Sequence, residues 1–354
     1  MAINKQQLTL IEHDPAFPST RFQGSKLKIV DWIWEATKDL NFNSALDAFG
    51  GTGSVGYMLK EKGKQVTYND ILKFNWHIGL ALIENDKVKL TDSEVDFLLA
   101  MHDEIKYPTF VFDTFKDIYF TDDENRWIDM VVTNIELLDN TYKKDLAFFA
   151  LCQACIIKRP FNLFHRKNLY LRFSDVERNF GNKATWDTPF EVHFRKFIAE
   201  ANQAVFSNGQ QNRALNSDVF EVEGEFDLVY IDTPYISKNG VGVDYFSFYH
   251  FLEGLINYSK WAEMIDHRTK HKKLQGNGSV WINKNQIHSA FDLLFKKFQN
   301  SILVVSYRAD GIPSIEELLN LLKKYKQNVK ELKRKNYKYV LSTNHSEEVL
   351  LIGK

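Results

Sequence analysis

Ser44-Ala45-Leu46-Asp47-Ala48-Phe49 runs into Gly50-Gly51-Thr52-Gly53-Ser54-Val55-Gly56 and Met58-Leu59-Lys60-Glu61; after Gly63 come Gln65-Val66-Thr67-Tyr68 and Asn69-Asp70. This order predicts a strand, a glycine-rich turn, a helix and a second strand, with an acid at each strand's end. Strands that alternate with helices build a parallel sheet covered by helices, so an α/β, Rossmann-like doubly wound fold is expected. Glycines in the turn let backbone N–H groups and the helix's amino end face a ligand without a Cβ in the way.

Asp70 follows Gly51 at close to the roughly 20-residue interval at which an acid reaches ribose hydroxyls. The Gly51-x-Gly53-x-x-Gly56 spacing fits a nicotinamide enzyme as well as an S-adenosylmethionine enzyme. Asp47 separates the two. A carboxylate just before the glycines suits a cationic ligand such as a sulfonium amino acid and repels a pyrophosphate.

Far downstream, Phe226-Asp227-Leu228-Val229-Tyr230-Ile231 reads as a buried strand that ends in Asp232-Thr233-Pro234-Tyr235. Ligands of open α/β sheets bind at the carboxyl ends of the strands, so an acid, a rigid proline and an aromatic ring there mark a candidate active site. Upstream, Phe22-Gln23-Gly24-Ser25-Lys26 precedes a helix through Leu27, Val30, Ile33 and Trp34, with Ser25 as its cap. Helices are also expected over Thr121–Leu138, Lys144–Ile157, Tyr249–Trp261 and Asn285–Phe298, with one opening at Pro313-Ser314. Ser301–Tyr307, Val329–Leu341 and Glu348–Ile352 read as strands, the last two forming a terminal antiparallel hairpin.

At 354 residues, 44% of them hydrophobic, the chain can bury one large domain with an insertion, or two domains. No apolar run approaches the roughly 20 residues that span a bilayer, and the first residues lack the apolar core of a signal peptide, so a cytoplasmic protein is expected. Cys152 and Cys155 have no second Cys/His pair nearby and are assigned to the core; no metal site is expected.

The net charge of −1 conceals segregation. Lys158 to Arg172 holds five cations and no acid, interleaved with Phe161, Phe164, His165 and Tyr170. His267 to Lys273 is a second basic run, and Lys323 to Lys338 carries eight Lys/Arg against Glu331 alone. Such segregation suits a polyanion, because each phosphate contact releases condensed counterions.

Phe22-Gln23-Gly24-Ser25-Lys26, Asp47-Ala48-Phe49-Gly50-Gly51-Thr52-Gly53, Asn216-Ser217-Asp218-Val219-Phe220 and Asp232-Thr233-Pro234-Tyr235, in this order, resemble the DNA adenine methylase family of N6-adenine methyltransferases. The likeness covers residues 21–84 and 211–354. It implies a class I methyltransferase fold with a terminal antiparallel hairpin, formed by residues 1–83 and 207–354. Residues 84–206 are then a mostly helical target-recognition insertion. It further implies S-adenosylmethionine as cofactor, with Asp47, Phe49, Gly51 and Gly53 on its methionine side, Asp70 on its ribose, Asp218 and Val219 on its adenine, and Phe22, Gly24 and Lys26 closing over it.

Asp232 and the Thr233 carbonyl would hold the amine of a flipped-out adenine in double-stranded DNA, Tyr235 would stack on the base, and Pro234 would fix their spacing. Thr233 departs from the family's usual proline; it supplies the same carbonyl on a less rigid turn with an extra N–H. Arg159, Arg166, Lys167, Arg172, Arg268, Lys270, Lys272 and Arg334 are the expected DNA contacts. The implied enzyme is a sequence-specific, restriction-modification or stand-alone bacterial modification enzyme, with a cognate restriction endonuclease as partner in the first case. The alternatives are methylation of RNA or a protein amide, a nicotinamide oxidoreductase, and a DNA-binding subunit without turnover.

Overall fold

The computed structural model describes residues 15–20, 22–174, 183–276, 278–337 and 346–354, with backbone alone over 334–337 and at 346. Nine strands are described: β1 (Ser44–Asp47), β2 (Gln65–Asn69), β3 (Arg213–Leu215), β4 (Leu228–Ile231), β5 (Ile236–Ser237), β6 (Ile302–Arg308), β7 (Gly311–Ile312), β8 (Val329–Tyr337) and β9 (Ser346–Gly353). Seven form one sheet in the order β3-β2-β1-β4-β6-β9-β8, and β5 pairs with β7 in a small separate ladder.

β3, β2, β1, β4 and β6 are parallel, and β9 and β8 complete the sheet antiparallel to their neighbours. The expected α/β architecture is what forms. Central strands of a parallel sheet are covered on both faces, so they carry near-continuous apolar runs. All four residues of β4 are buried, as are Ala45 and Leu46 of β1.

The chain leaves β1 for β2 and β3 on one side and returns on the other with β4 and β6. That reversal leaves a crevice beyond the carboxyl ends of β1 and β4, where open sheets bind ligands. Asp47 is paired in register with Tyr230, two residues before Asp232, so the ends of β1 and β4 bring both acids to the same edge.

Between β2 and β3 the described residues form helices and no strand, among them Asp122–Glu136, Thr141–Ile157 and Phe190–Ala204. Thr121 and Glu124 close a capping box that starts the first of these, each side chain bonding the other's backbone N–H. Thr141–Ile157 is buried along most of its length, and its Cys152 and Cys155 are free thiols in the core. The helical stretch is tied to the sheet layer where the Tyr57 hydroxyl donates to the Ala204 carbonyl at 2.9 Å.

Element ends differ modestly from expectation. The helix after Lys26 opens with a 3-10 turn, Leu27–Ile29, and continues as Val30–Thr37; the Ser25 hydroxyl accepts from Leu27 N at 3.3 Å. The helix expected over Tyr249–Trp261 begins earlier, at Tyr245, because the Asp244 side chain caps it by accepting from Ser247 N, and it stops at Ile256. Ser314 caps Ile315–Leu322 with Glu317 in a capping box. The residues joining the terminal hairpin, 342–345, lie outside the described residues.

Candidate active site

The glycine-rich turn is shaped by two residues in the left-handed region, Gly51 at φ 52° and Gly53 at φ 75°. A side chain is strained there, so glycine is the natural occupant. Gly53 caps helix Ser54–Glu61, whose first turn points at the crevice. Two acids brace the turn. Asp47 Oδ2 accepts from Gly56 N at 2.9 Å, while Asp70 Oδ2 accepts from Gly51 N at 2.9 Å and Oδ1 from Leu72 N at 2.8 Å. Both carboxyls are buried. Burial pushes Asp47 up to about 7, partly offset by the Gly56 N–H, and Asp70 up to about 6.

These acids open onto a cavity of about 650 Å³. Its lining brings together Phe22, Gly24 and Lys26; Asp47, Phe49 and Gly51; Asp70; Asp218 and Val219; and Asp232 to Tyr235. Residues from five separate stretches thus share one space. Gly53 is not in the lining and acts through the turn. Asp218 Oδ1 accepts from Phe220 N at 3.0 Å, which fixes the turn that presents Val219.

The Lys26 ammonium donates to Asp232 Oδ1 at 2.7 Å and lies 3.6 Å from Glu348 Oε1. It stays charged well above the usual lysine range because those carboxylates outweigh the desolvation that opposes them. Burial raises Asp232 in turn, against the pull of Lys26. Lys26, expected to close over a cofactor, spends its ammonium on the candidate carboxylate instead. Asp232 Oδ2 has no hydrogen-bond partner among the described residues. Tyr235 is buried, with the Arg308 guanidinium 4.6 Å from its ring centroid. The Thr233 hydroxyl is buried without a hydrogen-bond partner among the described residues.

An aromatic wall closes one side. Phe22 stacks on Tyr249 at 4.4 Å and 12°, and on Tyr245 at 5.7 Å and 19°. The Tyr249 hydroxyl accepts from Gln23 N at 2.8 Å, so the amino-terminal motif is pinned to the helix that follows the tetrapeptide. Gly24, at φ 88°, lies so close to Tyr245 that a Cβ would stand 2.3 Å from its hydroxyl oxygen. On another side Trp281 stacks with Phe220 at 5.7 Å and meets Phe49 edge-on at 5.0 Å.

Sequence reasoning missed Trp281, Glu253 and Glu348. Trp281 and Glu253 line the cavity, Glu253 accepting from Lys73 and Phe74 backbone N–H groups. Trp281 lies in an irregular stretch with no periodic pattern. Glu348 is an acid followed by the apolar run Val349–Ile352, and that interruption was its only signal.

The expected DNA contacts divide. Arg166, Lys167, Arg268 and Lys270 are exposed and Lys272 is half-buried; Arg268 is paired with Asp266 at 2.8 Å. Arg159 and Arg172 do not fit the expectation, because both are buried. Arg159 donates to the Tyr119 carbonyl at 2.9 Å and to Asn168, and Arg172 holds Glu124 with two bonds at 2.6 and 2.9 Å. Their charge is spent inside the helical region. The Arg334 side chain lies outside the described residues; its backbone is in β8 opposite Glu348.

Two basic runs converge at Tyr119, whose hydroxyl lies 2.7 Å from the Phe164 carbonyl and 3.1 Å from the His271 carbonyl. Lys273, at the end of the second run, lines the cavity. The second run thus reaches the cavity at Lys273, and the first packs beside it at Tyr119.

Comparison with known proteins agrees with this assembly. Over 352 residues the chain is 31% identical to Type II methyltransferase M2.HphI of Haemophilus parahaemolyticus, a match covering 96% of this chain and 99% of that protein. It is 25% identical to Type II methyltransferase M.CviAII of Paramecium bursaria Chlorella virus 1, covering 92% and 96%. It is 27% identical to Type II methyltransferase M.FokI of Planomicrobium okeanokoites, covering 86% of this chain but 47% of that longer protein. The family model of the D12 class N6 adenine-specific DNA methyltransferases matches residues 22–310. That span takes in Lys26, the glycine-rich turn and Asp232 together, and the chain belongs to the D12 class N6 adenine-specific DNA methyltransferases.

Proposed function

We propose that this DNA adenine methyltransferase binds S-adenosylmethionine in the cavity between the glycine-rich turn and the tetrapeptide, and methylates a flipped-out adenine of double-stranded DNA held by Asp232 and Thr233. Family membership supports this reading over the nicotinamide, RNA and protein-amide alternatives. The observation that carries the site assignment is the Asp232 carboxylate, held by Lys26 at 2.7 Å in the same cavity as Asp47 and Asp70.

The residues fit the cofactor. The cavity lies in the usual size range for small-molecule sites. Asp47 is a buried acid with one backbone bond, suited to a cationic ligand, and Asp70 is placed for ribose hydroxyls. Val219 and Trp281 supply apolar walls for a purine. The bound cofactor supplies a methyl group on a sulfonium sulfur.

The exocyclic amine of adenine is a weak nucleophile because its lone pair is delocalised into the ring. Asp232 Oδ2 and the Thr233 carbonyl accept its two N–H bonds, which favours a pyramidal nitrogen with its lone pair free for in-line attack. Lys26 occupies Oδ1 and keeps the carboxylate ionised for that task. Pro234 sets the distance from Asp232 to Tyr235, and Tyr235 stacks on the base. A base inside a duplex cannot reach such a cavity, so it must leave the stack.

Arg166, Lys167, Arg268, Lys270, Lys272 and Arg334 are proposed to hold DNA phosphates or read base edges, and residues 84–206 to act as the target-recognition insertion on the catalytic unit of 1–83 and 207–354. The relatives' names support a Type II modification role, for which a cognate restriction endonuclease is the proposed partner. A cytoplasmic enzyme suits that role, and among the described residues no helix is long and apolar enough to cross a membrane.

The test is transfer of labelled methyl from S-adenosylmethionine to unmodified DNA, with product nucleosides resolved by mass spectrometry. N6-methyladenine at a defined sequence is the expected product. An absence of label under conditions where cofactor binding is demonstrated would refute the reading.

A further inference from the structure

Lys26 is held from two sides, and only one of its partners takes part in the reaction proposed above. Glu348, on β9, is completely buried; its Oε1 lies 3.6 Å from Lys26 Nζ and accepts the Ser306 hydroxyl of β6 at 2.5 Å. One ammonium thus serves two carboxylates that are largely withdrawn from water. Asp232 alone would neutralise Lys26. A second buried carboxylate carries a desolvation penalty that a neutral residue would avoid. Departures of this kind concentrate at functional sites.

We infer that Glu348, itself fixed by Ser306, is a positioning residue for methyl transfer: it anchors the Lys26 ammonium against Oδ1 of Asp232 so that Oδ2 stays available to the target amine. This rests on the assignment of Asp232 as the amine's acceptor. A lysine carries its charge on a flexible four-carbon stem, and one contact beside an open cavity leaves that stem free to swing. A second anchor restricts its direction, and a displacement of 1 Å at such a site is worth up to about 10²-fold in rate.

Among the described residues the charged and titratable groups around this trio are Tyr230 from β4, Tyr235 from the tetrapeptide, Tyr245 from the aromatic wall, Asp47 from β1 and Arg308 of β6, opposite Glu348 in register. Burial raises Glu348 as it raises Asp232, with Lys26 opposing both, and each carboxylate raises Lys26. Removing the charge at 348 relieves Asp232 of a like-charged neighbour. Asp232 then loses its proton at lower pH, and the acid limb of the kcat profile moves with it.

The experiment compares Glu348→Gln, Ser306→Ala and Asp232→Ala in the full chain, reading kcat, KM for both substrates, the pH profile of kcat and cofactor binding. For Glu348→Gln the expected result is a plateau kcat lower by on the order of 10-fold, KM values near those of the parent, and an acid limb at lower pH. Ser306→Ala moves both readouts in the same directions by less. A Glu348→Gln enzyme with unchanged kcat and an unmoved limb, whether or not its Tm falls, overturns the inference. If that variant does not fold, unchanged values in Ser306→Ala overturn it equally. An active Asp232→Ala would instead sink the site assignment, whereas an inactive Asp232→Ala beside a normal Glu348→Gln would sink the positioning role alone.

Discussion

The ammonium of Lys26 and the carboxylate of Asp232 are 206 positions apart in the chain and 2.7 Å apart in the fold. The pair joins the amino-terminal motif to the end of the central strand. It also leaves one oxygen of Asp232 for a substrate.

Asp232→Ala is expected to lower kcat by at least about 10²-fold, as loss of a group aimed at the reacting atoms does. Cofactor affinity should stay within a few-fold, because Lys26 keeps Glu348 at 3.6 Å and is not left as an unpaired buried charge. Single-turnover kinetics and calorimetric titration separate the two effects; normal turnover would remove Asp232 from the chemistry.

Cofactor affinity should fall with pH below about 7. Asp47 is raised to about 7 by burial, so the free protein favours its protonated form. A carboxyl raised above its unfolded value contributes stability that is full below the unfolded value near 4 and is lost as pH rises through about 7. A cation beside Asp47 reverses this by favouring the carboxylate and releasing a proton. The rise in Tm produced by S-adenosylmethionine should therefore grow between pH 5.5 and about 8; a pH-independent rise would place the cation elsewhere.

Gly53→Ala should destabilise the fold by about 1–2 kcal/mol, the strain of a left-handed residue with a Cβ. An added Cβ would meet its neighbours at ordinary contact distance, the nearest atom at 3.7 Å, so backbone strain and not crowding is responsible. Denaturant unfolding measures it. An unchanged midpoint would mean that the turn relaxes.

Arg166→Ala and Lys167→Ala should each weaken DNA binding and lower the slope of log Kd against log salt by about 1. Arg172→Ala should instead destabilise the protein by roughly 3–5 kcal/mol, because it leaves Glu124 and Lys158 in a broken buried network. A reduced salt slope in a folded Arg172→Ala protein would contradict the structural role given to it here.

The glycine-rich turn and the tetrapeptide were legible because each combines a periodic apolar run with residues that only a ligand-facing turn explains. Strand and helix alternation pointed to the parallel sheet, and the family resemblance to its terminal antiparallel hairpin. The basic run 158–172 was read correctly as charge and incorrectly as one surface. Residue type cannot tell Arg166, which faces solvent, from Arg172, which is sealed against the capping box of Thr121 and Glu124. That distinction depends on tertiary packing across 48 positions. Glu348 was invisible for the opposite reason: its meaning lies entirely in Lys26, at the other end of the chain.

β9 follows β8 in the chain yet lies between β6 and β8, so strand residues synthesised after the rest of the sheet complete its interior and not its margin. While a ribosome is still making them, Asp47, Asp70 and Asp232 have already emerged, but β6 is an open edge and Lys26 lacks its second anchor. A nascent chain is expected to acquire its chemistry only with the insertion of β9, and interrupted synthesis should yield fragments that leave the genome unmarked.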